Sequence, residues 1–287
     1  MSTVNGTPRR PFIKMHGLGN DFIVFDARLD GLQLTSDDVR QLADRRLGIG
    51  CDQLITLLPS DTTDAFMRIH NHDGEESGAC GNASRCIGAY LMKELGRDTA
   101  TIDTLSGVIA CEAGPNGDVI VDMGEPSFDW QAIPLAEPRD TLDMSLEFGR
   151  LNHPSAVSMG NPHVVFFVDN PDTVNLAALG PLIERYPLFP ERTNVNVAEV
   201  ISDTRLRMRV WERGVGETSA CGTGACATAV SAARRNLTGR RVEVELKGGV
   251  LTVEWRNDNR IILSGPVSTS FRGETEIPSL RAGVKDA

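Results

Sequence analysis

The sequence predicts an α+β protein built from two similar halves. The first observation is a repeated triplet, Ala79-Cys80-Gly81 and Ala220-Cys221-Gly222, whose copies lie 141 residues apart. The second is that the same offset aligns further positions: Gly19-Asn20 with Gly160-Asn161, Val24-Phe25 with Val165-Phe166, Gln53 with Asn194, Met67-Arg68 with Met208-Arg209, Glu76 with Glu217, and Gly124 with Gly265. The third is that strand and helix patterns follow one another in the same order in both halves. Two copies of one fold would carry the two cysteines at equivalent positions.

The first half contains two predicted helices. Residues 36–47 have helical spacing with a Ser-Asp-Asp start, and residues 83–95 form an apolar helical pattern that ends at Gly96. Short β-prone runs lie around these helices and predict strands. They cover residues 22–26, 64–71, 99–104, 108–112 and 119–123.

The second half repeats this order, with helices predicted at 179–185 and 223–235. Strands are predicted at 164–168, 205–212, 242–246, 250–255 and 260–263. One extra residue, assigned to Gly249 in a hairpin turn, shifts the offset to 142 for the last strands. Residues 127–152, which contain Pro134 and Pro138, are the predicted connection, with part of them able to form strand. The expected domains are therefore 1–124 with 267–287, and 125–266.

Composition is typical of a globular protein that binds neither nucleic acid nor membrane. The 287 residues are 40% hydrophobic and 24% charged, which is enough chain for two domains. The net charge of −10 disfavours binding to phosphate backbones and anionic lipids. Residues 1–12 lack the apolar core of a signal peptide, and the longest apolar run, 164–168, is too short to span a bilayer. We therefore expect a cytoplasmic protein.

The cysteine pattern predicts neither a disulfide framework nor a metal site. Six cysteines in a chain of this length are too sparse for a disulfide scaffold, and no Cys-x-x-Cys occurs. Four of them are expected to be small buried hydrophobes: Cys51, Cys86, Cys111 and Cys226.

Cys80 and Cys221 differ from the other four because each lies where a glycine-containing turn runs into a predicted helix. The first backbone N–H groups of a helix and its positive end then face the same space as the sulfur. This setting is expected to favour the thiolate and to lower the thiol pKa. The same N–H groups can bind an anion such as a carboxylate.

Four motifs resemble diaminopimelate epimerase, in the family's order and over nearly the whole chain. They are Gly17-Leu18-Gly19-Asn20-Asp21-Phe22, then Asn71-His72-Asp73-Gly74 leading to Cys80-Gly81-Asn82-Ala83-Ser84-Arg85-Cys86, then Gly160-Asn161-Pro162-His163, and finally the run from Glu212-Arg213-Gly214 to Ala220-Cys221-Gly222-Thr223-Gly224. Two departures occur. Ala83 stands where the family usually has Gly, and His72 and Glu75 replace the usual Ala and Ser.

The resemblance implies a cofactor-independent isomerase that interconverts LL- and meso-2,6-diaminopimelate in lysine and peptidoglycan precursor biosynthesis. It also implies a homodimer and two pseudo-symmetric domains, each a mostly antiparallel strand barrel or curved sheet around a central helix. Inverting a stereocentre requires a base on one face of the carbon and an acid on the other, and two cysteines meet that need. By analogy with the family, Cys80 donates the proton and Cys221 accepts it, starting from the LL isomer.

The expected substrate-binding residues are mostly polar side chains at equivalent positions of the two halves. By resemblance they are Asn20, Gln53, Asn71, Asn161, Asn194, Glu212 and Arg213. Backbone donors at Gly81, Asn82, Gly222 and Thr223 are expected to stabilise carbanion charge as it spreads to the carboxylate. His163 and Glu212 are expected to tune the thiol pKa values. Pyridoxal phosphate would need a Schiff-base lysine, and none of Lys14, Lys93, Lys247 and Lys285 lies in these motifs, so no cofactor is predicted.

Three alternatives stay open at this stage. A proline-racemase-like or phenazine-pathway isomerase of the same fold would keep the paired acid and base but would not need Glu212 and Arg213. A cysteine hydrolase using Cys with His163 and Asn161 would form an acyl-enzyme and need only one cysteine. A non-catalytic thiol or metal-binding module would turn over no amino acid.

Overall fold

The computed structural model describes residues 3–4, 7–78 and 80–281. Ala79 of the first repeated triplet and Lys285 lie outside these residues. The chain forms two compact units: Met1–Val119 with Pro266–Ala287, and Ile120–Gly265.

The first part of the chain runs from the N-terminal strands to the start of the second unit. Its elements are β1 (Thr3–Val4), β2 (Thr7–Gly17), β3 (Asn20–Asp26), α1 (Ser36–Ala43), β4 (Gln53–Leu58), β5 (Ala65–Asn71), β6 (Glu76–Ser77), α2 (Gly81–Leu95), β7 (Thr99–Thr104), β8 (Gly107–Ala113) and β9 (Val119–Asp122).

The rest of the chain repeats the order of strands and helices and then returns to the first unit. Its elements are β10 (Glu147–Phe148), β11 (Leu151–Asn152), β12 (Ser155–Ser158), β13 (Pro162–Phe167), α3 (Leu176–Glu184), β14 (Asn194–Ser202), β15 (Arg205–Glu212), β16 (Gly216–Thr218), α4 (Gly222–Arg234), β17 (Arg241–Leu246), β18 (Gly249–Trp255), β19 (Ile261–Gly265), β20 (Ser268–Glu276) and α5 (Pro278–Arg281).

In the first unit a mostly antiparallel sheet surrounds α2. The chain-terminal strands β2 and β20 pair antiparallel, β2 pairs with β3, and β3 continues the sheet into β4 through a parallel pairing. Helix α2 packs against β2, β7 and β8. Its residues from Gly81 to Gly88, with Leu91 and Met92, are buried, so the helix is the core of this unit rather than a surface element.

The second unit has the same plan around α4. Strands β13 and β14 pair parallel, whereas β14–β15, β17–β18 and β18–β19 pair antiparallel. Helix α4 packs against strands from β12 to β19, and small residues dominate its sequence, which lets the strands approach it closely. Helix α3 lies outside, against β14, β15 and β16.

The strand registers confirm the predicted duplication. In the first unit Phe22 of β3 lies opposite Gln53 of β4, and in the second His163 lies opposite Asn194, each partner displaced by the same 141 residues. Because a change of register would turn every side chain to the other face of the sheet, the shared register places equivalent side chains in equivalent positions. The predicted α+β fold of two duplicated halves, each a curved sheet around a central helix, is correct.

The predicted position of the inserted residue is wrong. Strands β7 and β17 already differ by 142 residues and share one burial pattern, and the parallel pairs Ala65↔Ile102 and Leu206↔Val244 show the same shift. The extra residue therefore lies between α4 and β17, where residues 235–240 form a longer connection than residues 96–98. Both following hairpins have two-residue turns, so Gly249 begins a strand instead of lengthening a turn.

The central helices α2 and α4 lie within two residues of their predicted bounds, whereas α1 and α3 differ by three or more residues at one end. Helix α1 ends at Ala43 rather than at 47, because the Asp44 side chain accepts the N–H groups of Arg46 and Leu47 (both 2.7 Å) and so closes a turn. Helix α3 begins at Leu176, where Asn175 caps it by accepting the N–H of Ala178. None of the helices within the described ranges combines the length and the apolar character that crossing a bilayer requires.

Candidate active site

Each of the two predicted catalytic cysteines caps the central helix of its unit. The Sγ of Cys80 accepts the N–H of Ala83 at 3.5 Å at the start of α2. The Sγ of Cys221 accepts the N–H of Gly224 at 3.4 Å at the start of α4. Since the helices begin directly after the cysteines, the predicted backbone donors at Gly81, Asn82, Gly222 and Thr223 belong to the first turns, whose N–H groups have no intrahelical acceptor.

In the first unit the sulfur of Cys80 faces a hydrogen-bond acceptor. Cys80 is only partly buried, and its thiol donates to Oδ1 of Asn20 over 3.9 Å. The same oxygen accepts from Nδ2 of Asn82 at 3.1 Å. Three of the predicted site residues are therefore brought together, with a carbonyl oxygen at their centre.

The orientation of the Asn20 amide is set by charged groups at both ends of a short chain of hydrogen bonds. The fully buried Arg85 donates to Oδ1 of Asn82 (3.0 Å), Asn82 donates to Asn20, and Nδ2 of Asn20 donates to the carboxylate of Asp52 (2.9 Å). A guanidinium can only donate and a carboxylate can only accept, so neither amide can be reversed without a mismatch. Neither Asp52 nor Arg85 was among the predicted catalytic or substrate-binding residues.

Asp52 belongs to an ionic cluster with Asp21, Arg45 and Lys14. Arg45 bridges both carboxylates (2.6 Å to Asp21 and 2.7 Å to Asp52), and Lys14 pairs with Asp21 at 2.6 Å. Burial disfavours the charge on Asp21, but hydrogen bonds from Arg45 and Lys14 outweigh it and lower the pKa of Asp21 to about 2. The cluster therefore anchors the segment that carries Asn20.

Gln53 and Asn71, the other predicted binding residues of this unit, form a pair across strands β4 and β5. Nε2 of Gln53 donates to Oδ1 of Asn71 at 2.9 Å, and the two residues lie directly opposite in the register. Gln53 follows Asp52, which places the pair beside the segment that holds Asn20.

In the second unit the sulfur of Cys221 faces a hydroxyl group. Cys221 is 5% exposed, and its Sγ lies 3.5 Å from Oγ1 of Thr223. That oxygen accepts from Nδ2 of Asn161 at 3.3 Å, which leaves the hydroxyl hydrogen to point at the sulfur. Asn161 and Asn20 occupy equivalent positions, yet Asn161 directs its nitrogen towards the helix start and Asn20 directs its oxygen.

His163 fixes the orientation of Asn161 and stays neutral. Its Nε2 lies 3.0 Å from Oδ1 of Asn161, and its Nδ1 lies 3.2 Å from Nδ2 of Asn196, an amide that also donates to the carbonyl of Val164. Nδ1 therefore accepts, and Nε2 carries the proton. Complete burial, aided by the charge of Arg213, lowers the pKa of His163 to about 3. His163 contacts the cysteine through Asn161 and Thr223 rather than directly.

The expectation that the helix start lowers the thiol pKa is wrong for Cys221. Burial raises its pKa well above the ordinary value, and the negative charge of Glu212 raises it further. Hydrogen bonds from Thr223 and the N–H of Gly224 act in the opposite direction but do not outweigh these two effects. Burial also raises the pKa of Cys51, Cys86 and Cys111 to about 12, in line with their predicted role as buried hydrophobes.

Asn194, Glu212 and Arg213 lie around the turn between β15 and β16. Oδ1 of Asn194 accepts the backbone N–H of Arg213 at 2.9 Å, while its Nδ2 donates to the carbonyl of Pro162 at 2.8 Å. Glu212 accepts from the hydroxyl of Thr218. The side chain of Arg213 is exposed and reaches the carbonyl of Glu191 at 3.2 Å.

The sequence did contain signals for two of the residues that were missed. Asn196 follows Asn194 by two positions on a buried strand, so both amides face the same side of the sheet. Asp52 is next to the predicted residue Gln53. Within the described ranges, no three His, Cys, Asp or Glu side chains are grouped as ligands of a metal ion would be.

Comparison with known proteins finds relatives of one family that match most of the chain. A family model described as "Diaminopimelate epimerase" matches residues 12–129 and 155–270. The diaminopimelate epimerase of Erythrobacter litoralis is 57% identical over 266 residues, covering 92% of this chain and 97% of the relative. That of Rhodospirillum centenum is 52% identical over 267 residues, covering 92% of each.

Solved structures with low sequence identity share the fold. A phenazine biosynthesis protein of the PhzF family from Bacillus anthracis superposes with a TM-score of 0.69 at 19% identity, covering 94% of this chain and all of the other. A hydroxyproline epimerase from Agrobacterium vitis gives 0.68 at 15% identity, covering 94% and 93%. The family model and the close relatives decide between these branches of one fold: the chain belongs to the diaminopimelate epimerase family.

Proposed function

We propose that the protein interconverts LL- and meso-2,6-diaminopimelate by proton transfer at the α-carbon, without a cofactor, in lysine and peptidoglycan precursor biosynthesis. Cys80 and Cys221 exchange protons with opposite faces of that carbon. One thiol protonates the carbanion while the other, as thiolate, has removed the original hydrogen, and the roles exchange in the reverse reaction.

The observation that carries this proposal is that two cysteines at equivalent positions each begin the central helix of their unit, with Asn20 beside one sulfur and Thr223 beside the other. The carbonyl oxygen of Asn20 accepts from Cys80, and an acceptor stabilises the protonated thiol. The hydroxyl of Thr223 donates to Cys221, and a donor stabilises the thiolate. The helix N–H donors of Ala83 and Gly224 are common to both cysteines, and the hydrogen bond from Cys221 to Glu212 acts in the opposite direction to that of Thr223. The difference between Asn20 and Thr223 supports Cys80 as proton donor and Cys221 as proton acceptor when the LL isomer reacts.

The raised pKa of Cys221 is compatible with its role as base once substrate is bound. The α-ammonium group of the amino acid brings a positive charge beside the sulfur, and it offsets the charge of Glu212. Burial then strengthens the attraction between ammonium and thiolate, since a low dielectric weakens screening. We expect Glu212 to act on Cys221 through its charge, and His163 to act through Asn161 and Thr223.

Carbanion charge spreads into the α-carboxylate as the proton leaves. We propose that the first-turn N–H groups of Gly81 and Asn82, and of Gly222 and Thr223, receive that carboxylate. Fixed backbone donors at helix starts need no reorientation during the reaction, and such preorganised groups are a large part of catalysis.

The unreacting end of the substrate carries a second ammonium and a second carboxylate. We propose that Arg213 binds the distal carboxylate and Glu212 the distal ammonium, with Asn71, Gln53 and Asn194 completing the site. Asn20 and Asn161 bind near the reacting carbon. The first half has Asn71 at the position equivalent to Glu212. Only the second half therefore offers a carboxylate at this position to pair with the distal ammonium.

A comparison of three separate substrates tests the proposal against the other isomerases of this fold. LL-diaminopimelate, L-proline and trans-4-hydroxy-L-proline are incubated separately with the protein, and each product is resolved by chiral chromatography. We expect epimerisation of diaminopimelate alone. Turnover of proline with no turnover of diaminopimelate would instead assign a proline-racemase-like function, and a stable acyl adduct on one cysteine would indicate a hydrolase.

We further propose a homodimer that works in the cytoplasm, where a reducing environment keeps both catalytic thiols free. Light scattering coupled to gel filtration tests the dimer, for which a mass of twice 31.1 kDa is expected. We also propose that the functional halves are residues 1–124 with 267–287, and 125–266.

A further inference from the structure

Glu184, the last residue of α3, is a buried carboxylate that accepts hydrogen bonds from two separate elements. Its side chain is 4% exposed. Oε2 accepts from the indole Nε1 of Trp211 at 2.8 Å, and Oε1 accepts from the backbone N–H of Gly214 at 3.1 Å. The guanidinium of Arg192 lies 3.8 Å from Oε1. A carboxylate so deeply buried needs partners of this kind, and two of them lie at the end of β15.

The turn that Glu184 holds follows directly after Glu212 and includes Arg213, the two residues proposed to bind the distal end of the substrate. Residues 213–215 connect β15 to β16, and Gly214 has φ +76°, a left-handed conformation suited to glycine. Two successive N–H groups of this 213–215 turn are held by side chains: that of Arg213 by Asn194 and that of Gly214 by Glu184. The side chains of Asn194 and Glu184 therefore fix the backbone at Arg213 and Gly214, while the side chain of Arg213 is exposed.

A glycine in helix α3 allows Trp211 to approach Glu184. Gly180 lies one turn before Glu184 on the same face of the helix, and it packs against the ring of Trp211. A Cβ at Gly180 would lie 2.4 Å from the indole, so no larger residue fits there without displacing Trp211. Trp211 therefore rests on Gly180 while its N–H reaches Glu184.

The first unit holds the equivalent turn by a different contact: Arg40 of α1 donates to the carbonyl of Asp73, the residue aligned with Gly214, at 2.9 Å. The 141-residue offset aligns Glu184 with Ala43 and Trp211 with His70. The equivalent helix α1 therefore offers no carboxylate to the turn after β5. A carboxylate at this helix position therefore occurs only in the half whose turn carries Glu212 and Arg213.

We propose that Glu184 is a positioning residue for substrate recognition, which fixes the 213–215 turn so that Arg213 and Glu212 present their charges to the distal end of the substrate. This inference rests on the proposed function for the identity of the substrate. The hydrogen bond from Gly214 to Glu184 does not depend on the identity of the substrate. Glu184 itself touches no reacting atom.

The test combines backbone exchange with kinetics in the variant Glu184→Gln. Glutamine keeps the volume and one acceptor oxygen but turns an NH2 group towards either Trp211 or Gly214, so one of the two hydrogen bonds is lost. We expect faster hydrogen–deuterium exchange in the peptide containing Gly214. We also expect a KM for diaminopimelate raised about tenfold or more, with a smaller change in kcat. Glu199→Gln, which removes a carboxylate from neighbouring β14, is the matched control and should change neither.

A double-mutant cycle separates positioning from a general loss of structure. In an Arg213→Ala background, Glu184→Gln should raise the KM by a smaller factor than in the wild type, because one of the two side chains that it positions is gone. Full additivity, or an unchanged KM with faster exchange, would overturn the proposal. Unchanged exchange would show that Glu184 does not hold the turn. Absence of diaminopimelate turnover in the wild type would instead refute the proposed function and leave the exchange result to be interpreted by itself.

Trp211→Phe is a milder second variant in case Glu184→Gln does not fold. Phenylalanine keeps an aromatic ring over Gly180 but removes the N–H that Glu184 accepts. We expect an intermediate rise in both exchange at Gly214 and KM. An exchange rate and a KM equal to those of the wild type would count against the proposal.

Discussion

The side-chain amide of Asn20 donates to the carboxylate of Asp52 at 2.9 Å, and this contact turns the carbonyl oxygen of Asn20 towards the Cys80 thiol. Arg85 enforces the same orientation from the other side through Asn82. At the equivalent position of the second half, His163 and Thr223 hold Asn161 the other way round. The two cysteines therefore begin equivalent helices, but the polar side chains beside their sulfur atoms differ.

The first prediction concerns Asp52→Asn. An asparagine at this position can present either an oxygen or an NH2 group, so the Asn20 amide is no longer held in one orientation. Because hydrogen bonds to charged groups contribute about 1.5–3 kcal/mol, we expect kcat/KM to fall about ten- to a hundredfold. Steady-state kinetics measures the change. Asp61→Asn, at an exposed loop position, is the control, and equal activity in the two variants would contradict the role of Asp52.

The second prediction concerns stability at acid pH. His163 has an ordinary pKa of 6.5 in the unfolded chain and about 3 in the folded protein. Between these values only the unfolded state binds the proton, so the folded state loses stability as the pH falls below 6.5. The contribution approaches about 1.4 kcal/mol per pH unit.

Urea unfolding at pH 9, 8, 7, 6 and 5 measures this dependence. In His163→Asn the free energy of unfolding should fall less steeply with decreasing pH than in the wild type. The difference in slope corresponds to the binding of at most one proton by the unfolded chain. Above pH 7 the two slopes should agree, which serves as an internal control. Identical slopes between pH 6 and 5 would show that His163 does not remain neutral.

The third prediction compares the equivalent positions Gly224 and Ala83. A Cβ at Gly224 would lie 2.7 Å from Oδ1 of Asn196, a fully buried amide whose nitrogen is engaged by His163 and Val164. We therefore expect Gly224→Ala to destabilise the fold by about 1–3 kcal/mol and to lower activity. Ala83→Gly should cost about 1 kcal/mol, from helix propensity alone. Urea unfolding distinguishes the two, and a Gly224→Ala variant as stable as wild type would contradict the packing described.

The fourth prediction concerns cysteine reactivity. Cys80 is the only one of the six cysteines that is not buried. Cys51, Cys86 and Cys111 have pKa values raised to about 12, so only about one in ten thousand of each is thiolate at pH 8. Timed iodoacetamide labelling with peptide mass spectrometry should modify Cys80 first. In urea all six should react alike, and native labelling of Cys51 at the rate of Cys80 would refute the prediction.

Much of the fold could be predicted because the duplication left a constant offset in the sequence. The offset paired β3 with β13 and α2 with α4, and it located both cysteines at helix starts. It could not place the inserted residue, because Leu105 and Gly107 still match Leu246 and Gly248 at the offset of 141, although the strands there are already displaced by 142. Only the strand register and burial show where the extra residue lies.

The residues that orient the site were harder to find from sequence. Asp52 acts on Asn20, 32 positions earlier, and Glu184 acts on Gly214, 30 positions later. Neither lies in a repeated motif, and their partners become neighbours only through strand and helix packing. The pKa of Cys221 was mispredicted for a related reason: the helix start is visible in the sequence, but the burial that outweighs it is a tertiary property.

The central claim is that the two cysteines serve opposite faces of one carbon. Its most direct test is incubation of pure LL-diaminopimelate in heavy water with wild type, Cys80→Ala and Cys221→Ala, each first shown to be folded. Chiral chromatography with mass spectrometry reports stereochemistry and α-deuterium together. We predict meso product carrying one α-deuterium from the wild type and at least about a hundredfold loss of epimerisation in both variants. Undiminished epimerisation by either single variant would contradict the two-base mechanism.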